Sequence, residues 1–238
     1  MKGPYGLETS EHCQTCKQRG STFFCHLSPA ALKDFDEIRS SASYPDGAVL
    51  FLEKQDPRGV FVLCAGEVKL SISSSGGKTL ILRIAKPGEV LGLMSTLSGM
   101  PYEVTAETIR PCQVAYIRSD DFLKFIGKHL EASQGVLRQM ASSYRAACYR
   151  LRTVGLSSSA PEKLARLLLD WSADGKETEQ GTQIKLPLTH EEIAALIGTT
   201  RETVTRTLSD FKIHNLVATH GSNLTIANRL ALESLGAD

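Results

Sequence analysis

The hydrophobic pattern of this chain changes its period near residue 119, and this change constrains the fold more than any other sequence feature. Between residues 48 and 117 the apolar residues form short runs of β-type sequence that are separated by glycine turns. The clearest runs are residues 60–63, 68–72, 79–82 and 113–117. Many short strands at close and regular spacing predict an antiparallel roll or barrel for this part of the chain.

Two short helices joined by a tight turn are predicted between Leu188 and Arg206. Thr189 and Glu192 have the spacing of a capping box, which begins the first helix. Gly198 stands where the end of that helix needs a positive φ, and Thr200 is placed to cap the second helix. This arrangement is typical of the helix-turn-helix, which inserts its second helix into the major groove of DNA.

The second helix is predicted to turn Val204, Leu208 and Phe211 inward. On its outward face it offers polar side chains at the end that would enter the groove. Arginine can donate two hydrogen bonds to guanine, and glutamate can accept one from the N4 amino group of cytosine. Residues 216–219 and 223–226 predict a small hairpin, as expected of a winged helix. We therefore expect an interface with double-stranded DNA. Its residues are Thr189, Thr200, Arg201, Glu202, Thr205 and Arg206.

The charge of the chain does not by itself favour nucleic-acid binding. The formal net charge is +1 at pH 7, and acidic residues slightly outnumber lysine plus arginine from Gly155 onward. Contact with DNA must therefore come from a local cluster of positive charge. The alternative to a DNA-binding motif is an ordinary two-helix corner whose charges face solvent. The DNA-binding interpretation is favoured because the caps, the glycine turn, the polar outward face and the wing occur together. His190, His214 and His220 are interpreted as phosphate contacts or solvated side chains.

A long and narrow apolar stripe follows the predicted roll. The other faces of this helix carry arginine and glutamine. Such a stripe suits a helix that pairs with a copy of itself, although packing on its own domain is the more common alternative. We expect a homodimer, because helix-turn-helix proteins bind two half-sites with two copies. The expected interface residues are Val136, Met140, Tyr144, Ala147 and Leu151.

Residues 193–206, with the run from Gly198 to Arg206 at their centre, resemble the signature of the CRP/FNR family of transcription regulators. Residues 66–70 and 87–90 resemble the turns of the family's β-roll, and the likeness extends from about residue 28 to residue 226. The resemblance implies an α+β fold: an N-terminal antiparallel β-roll of the double-stranded β-helix or jelly-roll type, a long dimerisation helix and a C-terminal winged helix-turn-helix. It also implies a homodimer on a palindromic operator, with RNA polymerase as a further partner. Arg201, Glu202 and Arg206 would then read a GTGA-type half-site.

Four segments follow from these patterns. Residues 1–27 form a cysteine-containing N-terminal segment, and residues 28–118 form a β-roll sensor domain that opens with a short amphipathic helix within residues 28–44. Residues 119–154 form the dimerisation helix region, and residues 155–238 form the winged helix-turn-helix domain.

We expect a cytoplasmic protein without membrane contact, because no stretch approaches the ~18–20 apolar residues that a membrane helix needs. We expect no enzyme, because the chain lacks a nucleophile elbow, a phosphate-binding loop and a glycine-rich dinucleotide turn.

The effector pocket of the roll is expected at two pairs of residues. By the resemblance, relatives that bind cyclic nucleotides carry a Gly-Glu pair for the ribose and an Arg-Ser pair for the phosphate. The matching positions here are Gly92-Leu93 and Val104-Thr105, so both the carboxylate and the cation are missing. We therefore expect that cyclic AMP binds weakly or not at all. The alternative is a regulator controlled by a cyclic nucleotide or another small ligand, with structural or inert cysteines.

Three of the six cysteines lie near the N-terminus, at Cys13, Cys16 and Cys25. Thiolates at C-x2-C spacing can bind one metal together, and Cys25 could join them. Resemblance to the oxygen-sensing branch of the family implies an iron–sulfur cluster with Cys112 as the fourth ligand. The eight residues between Cys16 and Cys25 are more than that branch usually has.

Other chemistry at these cysteines is also consistent with the sequence. His12 and His26 are alternative ligands, which would suit zinc better than a cluster. After metal or cluster binding, the next alternative is a thiol redox pair, and the last is cysteines that stay reduced and have no special chemistry. Cys64 and Cys148 lie in apolar or helical runs and are interpreted as small buried hydrophobic residues.

Overall fold

The computed structural model describes residues 4–7, 13, 16, 26–156, 159–173, 175–221 and 223–236. At 149–150, 152–156 and 236 the description is limited to the backbone. The chain divides into two compact units, and the main boundary between them falls at Ala146 and Ala147, inside one long helix; the short piece Thr79–Ile81 groups with the second unit.

The first unit is built mainly from short β-strands, as the sequence predicts, with helices before, between and after them. After a 3-10 turn at Pro4–Gly6, its elements are α1 (Pro29–Ile38), β1 (Ser40–Tyr44), β2 (Val49–Phe51), β3 (Gly59–Ala65), β4 (Val68–Ser73), β5 (Thr79–Ala85), β6 (Val90–Leu91), α2 (Leu93–Ser98), β7 (Thr105–Thr108), β8 (Cys112–Arg118), α3 (Ser119–Lys128) and α4 (Leu130–Leu156). Helix α1 begins at the predicted cap, where the Ser28 hydroxyl accepts a hydrogen bond from the Ala31 backbone N–H. It ends earlier than the helical segment expected from the sequence, because residues 40–44 pair with β8 as strand β1.

The strands of the first unit form two four-stranded sheets, in the orders β1-β8-β3-β6 and β2-β7-β4-β5. Strand β3 shows how the core is organised, because side chains alternate between the faces of a strand. Phe61 and Leu63 pack among residues of both sheets, whereas Val60 and Val62 pack with α1, α3 and α4. The first sheet is therefore buried on both faces, and the expected antiparallel β-roll is confirmed.

Helix α4 contacts the roll at the edge strand β6. The side-chain amide of Gln139 donates to the Val90 carbonyl oxygen at 2.7 Å and accepts from the Val90 N–H at 3.0 Å. Val136, which the sequence placed in the dimer stripe, is only 4% exposed and packs in the core of the first unit. That placement corrects the expected interface, because a side chain buried in its own unit is not available to a second copy.

The outward face of α4 includes Leu137, the residue that follows the buried Val136. Leu137, Tyr144 and Leu151 are 64%, 72% and 73% exposed, and they follow one another at seven-residue intervals. Ala147 is also exposed, whereas Met140 is half-buried against the core of the first unit. Four of the five predicted interface residues are therefore at least partly accessible.

The second unit combines four helices with one sheet. Following the end of α4, its elements are α5 (Ala160–Ser172), β9 (Lys176–Thr178), β10 (Gly181–Lys185), α6 (His190–Ile197), α7 (Arg201–Ile213), β11 (Val217–His220), β12 (Asn223–Ile226) and α8 (Arg229–Gly236). The sheet is antiparallel, in the order β11-β12-β10-β9. The predicted hairpin is confirmed as β11 and β12. The exposed strand β9 lies in a polar stretch before residue 181 in which the sequence indicated no strand. Within the described part of the chain, no helix is both long and apolar enough to cross a membrane.

Gly92 is a position where only glycine fits. Its φ is +73°, and a Cβ atom there would lie 2.7 Å from a ring carbon of Tyr102. Tyr102 is fixed in place, because its ring stacks on Phe51 at 4.0 Å between centroids and its hydroxyl donates to the Gly59 carbonyl oxygen at 2.7 Å. Gly77 has a similar φ of +78°, but no atom lies within 4 Å of the corresponding Cβ position.

We predict that Gly92→Ala destabilises the first unit more than Gly77→Ala does. Both changes place alanine at a positive φ, which costs about 1–2 kcal/mol of the free energy of unfolding. Gly92→Ala also forces the Tyr102 ring to move, and overpacking of this kind costs about 1–3 kcal/mol more. Urea denaturation followed by circular dichroism measures the difference, and equal losses in the two variants would contradict the packing described here.

Candidate nucleic-acid interface

Helix α6 begins at the capping box that the sequence predicts. The Thr189 hydroxyl accepts a hydrogen bond from the Glu192 N–H at 3.2 Å, and the Glu192 carboxylate accepts one from the Thr189 N–H at 3.0 Å. Each bond satisfies a backbone or side-chain group that would otherwise face solvent at the helix end. Thr189 therefore determines where α6 starts, and its side chain remains exposed.

The turn between α6 and α7 depends on Gly198. Its backbone angles are φ 69° and ψ 44°, in the left-handed region that glycine adopts without a steric penalty. The N–H groups of Gly198 and Thr199 both donate to the Ala194 carbonyl oxygen, which closes the end of α6. Thr200 then caps α7 by accepting a hydrogen bond from the Thr203 N–H at 3.3 Å.

The orientation of α7 is set by its apolar side. Val204, Leu208 and Phe211 are buried, as the sequence predicts. The neighbouring helix α6 is buried through Ile193 and Leu196. With these side chains inside, the polar side of α7 faces solvent.

The predicted reading residues occupy that outward side. Arg201, Glu202, Thr205 and Arg206 are all exposed, and they lie in the first two turns of α7. A hydrogen bond from its own backbone N–H, another from the Thr200 hydroxyl, and the charge of Arg201 lower the pKa of the Glu202 carboxyl. Glu202 is therefore an ionised hydrogen-bond acceptor at neutral pH, as contact with the amino group of cytosine requires.

One contact in this motif was not predicted from the sequence. His190, the first residue of α6, places its ring Nδ1 3.0 Å from the Thr205 hydroxyl oxygen on α7. The same hydroxyl donates to the Arg201 carbonyl oxygen at 3.0 Å. Fifteen residues separate His190 from Thr205, so no local spacing rule could have indicated their contact.

The wing follows α7 as an antiparallel hairpin. Strands β11 and β12 pair from Val217 with Ile226 to His220 with Asn223. Leu224 and Ile226 are buried, whereas His220 and Asn223 are exposed near the turn. The hairpin is thus held by its apolar residues, and its turn end presents polar ones.

The residues expected to form the effector pocket do not carry the polar groups of a nucleotide site. Leu93 is 5% exposed and packs with the helices, whereas Val104 is 9% exposed and packs between the sheets. Thr105 is half-buried, and its hydroxyl accepts a hydrogen bond from the Glu53 N–H at 3.0 Å. Gly92 faces the Tyr102 ring. The structure thus divides these residues between two separate cores.

Of the cysteines predicted to hold a metal, Cys13 and Cys16 are neighbours, because the Cys16 N–H donates to the Cys13 carbonyl oxygen at 3.4 Å, whereas Cys112 lies in a different core. Cys13 packs against the core formed with the helices, and its backbone N–H donates to the Asp36 carboxylate. Cys112 is fully buried between the sheets, where its thiol can donate to the carbonyl oxygen of Arg110 at 3.1 Å or to that of Glu67 at 3.4 Å. Cys25 lies outside the described residues. Among those described, no three histidine, cysteine or acidic side chains are grouped as metal ligands.

The pKa values of the Cys13 and Cys112 thiols follow from their burial. Burial raises the pKa of Cys13 to about 12 and that of Cys112 to about 11. Cys112, the predicted fourth ligand, lies in the core between the sheets, whereas Cys13 packs against the core formed with the helices. Of the two cysteines expected to be buried, Cys64 is half-buried, whereas Cys148 is exposed on α4 and that expectation was wrong.

Comparison with known proteins supports the same two parts of the chain. A model described as cyclic nucleotide-binding domain matches residues 41–129, and a model described as Crp-like helix-turn-helix domain matches residues 162–235. The chain is 26% identical over 207 residues to the CRP-like cAMP-activated global transcriptional regulator of Mycobacterium tuberculosis, covering 86% of this chain and 92% of that protein.

A second relative extends the similarity to nearly the full length, and a solved structure has the same fold. The chain is 24% identical over 233 residues to the nitrogen fixation regulation protein FixK of Bradyrhizobium diazoefficiens, covering 97% of each. The structure of FixK2 from Bradyrhizobium japonicum superposes with a TM-score of 0.74 at 24% identity, covering 84% of this chain and 98% of that one. The fold of sheets, long helix and winged helix-turn-helix is therefore a known one.

Proposed function

This chain belongs to the CRP/FNR family of DNA-binding transcription regulators, and we propose that it reads a palindromic operator as a homodimer through the outward face of α7. The observation that carries the proposal is the exposure of Arg201, Glu202, Thr205 and Arg206 on one side of a helix whose other side is buried. We further propose that residues 28–118 receive the signal, that residues 119–154 dimerise and that residues 155–238 bind DNA. RNA polymerase is the proposed partner at the promoter.

The ends of α6 and α7 suit contact with the DNA backbone. Thr189 and Thr200 are exposed caps at the N-terminal ends of these helices. Backbone N–H groups and the helix dipole favour phosphate at such ends. Phosphate contacts position the protein on DNA, and base contacts specify the sequence. We therefore assign positioning to the two threonines and base reading to Arg201, Glu202 and Arg206.

We predict that Arg201→Ala and Arg206→Ala each relax the preference for one guanine. An arginine that donates two hydrogen bonds to guanine contributes about 1–3 kcal/mol of discrimination. Lys212→Ala is the matched control, because it removes one exposed positive charge from the last turn of the same helix. Binding measured against a set of single-base operator variants should show a position-specific loss for the arginine variants and a uniform change for Lys212→Ala. Unchanged base preference in both arginine variants would exclude α7 as the reading helix.

The proposed dimer forms along the outward face of α4. Leu137, Tyr144 and Leu151 are large, exposed and seven residues apart, which is the repeat of a two-stranded coiled coil. Ala147 lies between them, and Met140 borders the stripe on the side that faces the roll. Pairing of two copies would remove these apolar side chains from water, and a dimer would supply the two α7 helices that half-sites about 34 Å apart require.

We predict that Tyr144→Glu converts the dimer to a monomer. A carboxylate in the middle of the stripe would be buried without a partner, which opposes association. Leu123→Glu is the control, because Leu123 is also an exposed apolar residue but lies on α3. Sedimentation velocity reports the mass of each variant, and operator binding should fall together with dimerisation. A dimeric Tyr144→Glu protein would place the interface elsewhere.

We propose that the signal is redox or metal chemistry at Cys13, Cys16 and Cys25 rather than cyclic AMP. Support comes from the roll, where Leu93 and Val104 are buried apolar residues at positions that would need a carboxylate and a cation. Support also comes from the C-x2-C spacing; Cys112, in contrast, is buried among residues of both sheets, in a different core from Cys13. Oxidation of the thiols without a metal is the alternative chemistry.

We predict that protein purified without oxygen carries iron or zinc that depends on Cys16. Metal and sulfide content should fall in Cys16→Ser and stay unchanged in Cys148→Ser, which alters an exposed thiol on α4. Titration calorimetry of the same samples with cyclic AMP should show no binding in the micromolar range. Equal metal content in wild type and Cys16→Ser would remove the cysteines as ligands, and micromolar binding would establish cyclic AMP as the signal.

A further inference from the structure

The contact between His190 and Thr205 joins the first residue of α6 to the outward face of α7. The ring Nδ1 and the hydroxyl oxygen are 3.0 Å apart, within the normal range of a hydrogen bond. Thr205 is exposed and stands one turn after Arg201, in the row of side chains that continues to Ser209. The contact therefore lies at the surface that is proposed to meet the bases.

The direction of this hydrogen bond follows from the number of hydrogens available. The Thr205 hydroxyl has one hydrogen, and the Arg201 carbonyl oxygen 3.0 Å away can only accept it. Both contacts are satisfied only when His190 donates from Nδ1. This donor is present in the neutral Nδ1–H tautomer and in the charged ring alike.

The two hydrogen bonds fix the rotamer of Thr205. Threonine in a helix divides between two χ1 rotamers, and the bond from its hydroxyl to the carbonyl four residues earlier favours one of them. His190 adds a second bond to the same hydroxyl oxygen. The hydroxyl hydrogen is then unavailable to N7, O6 or O4 acceptors on bases, and His190 occupies one of the two acceptor lone pairs, which favours contact through the γ-methyl group.

We propose that His190 is a positioning residue that makes Thr205 a reader of a thymine methyl group. The C5-methyl of thymine is the apolar feature of the major groove, and threonine methyl groups are among its known contacts. Ser209 offers no competing donor nearby, because its hydroxyl is bonded to the Thr205 carbonyl oxygen at 2.9 Å. The inference rests on the proposed function, since it assigns one base contact of the same helix.

Operators that contain deoxyuridine in place of thymidine test this inference directly. The operator is first selected from a random duplex pool with the wild-type protein, and each thymine of the half-site is then replaced in turn in both halves. Deoxyuridine lacks only the C5-methyl group. At one symmetric position the wild type should lose about fourfold in affinity per half-site, the change expected from exposing one methyl group.

Variants separate the positioning effect from a structural one. The quantity compared is the ratio of the affinities for the thymine and uracil operators at that position. His190→Ala should reduce this ratio towards one, and His190→Asn should restore it, because an asparagine amide can donate from nearly the same place. Thr205→Ser should remove the ratio, because it removes the methyl group. Thr205→Val should keep the ratio even when combined with His190→Ala, because valine presents methyl groups in every rotamer.

The outcomes are distinguishable from failure of the proposed function. If the random pool yields no preferred operator, sequence-specific DNA binding itself is wrong. If an operator is selected but deoxyuridine has no effect at any position, or if His190→Ala keeps the full wild-type ratio, the positioning inference is wrong while the proposed function stands.

Discussion

The burial of one side of α7 is the interaction on which the DNA-facing chemistry depends. Val204, Leu208 and Phe211 are each at most 4% exposed, and burial of such a side chain contributes about 1.5–3 kcal/mol. Successive residues of a helix point about 100° apart. Turning α7 to hide Arg201 or Arg206 would therefore expose these apolar groups to water. Gly198 permits the turn that brings this side of the helix inward, and the caps at Thr189 and Thr200 fix the two starting points.

Local signals in the sequence were sufficient for the helix-turn-helix, because each of its parts depends on residues a few positions apart. The capping box, the left-handed glycine and the buried stripe all lie where the spacing predicted them. The contact of His190 with Thr205 could not be predicted in this way, because it joins two helices. Strand β9 was missed for a different reason: all three of its residues are exposed, so it has no hydrophobic period.

The long helix shows a second limit of sequence patterns. Val136 and Leu137 are adjacent and both apolar, yet Val136 is buried in its own unit and Leu137 is 64% exposed. A periodic stripe indicates that a face is apolar but not which neighbour covers it. Cys112 illustrates the same point, because its distance from Cys13 in the fold depends on which side of β8 its side chain occupies. Only the packing of the two sheets determines that it lies between them.

The amide of Gln139 has a further consequence for the edge of the first sheet. Strand β6 is the last strand of that sheet, and an open edge strand offers its backbone groups to any other extended chain. By bonding both the N–H and the carbonyl oxygen of Val90, Gln139 imitates the peptide group of a neighbouring strand. A single side chain thus closes this edge against aggregation through strand pairing. It also fixes the axial register of α4, because a shift by one residue along the helix would break both bonds at once.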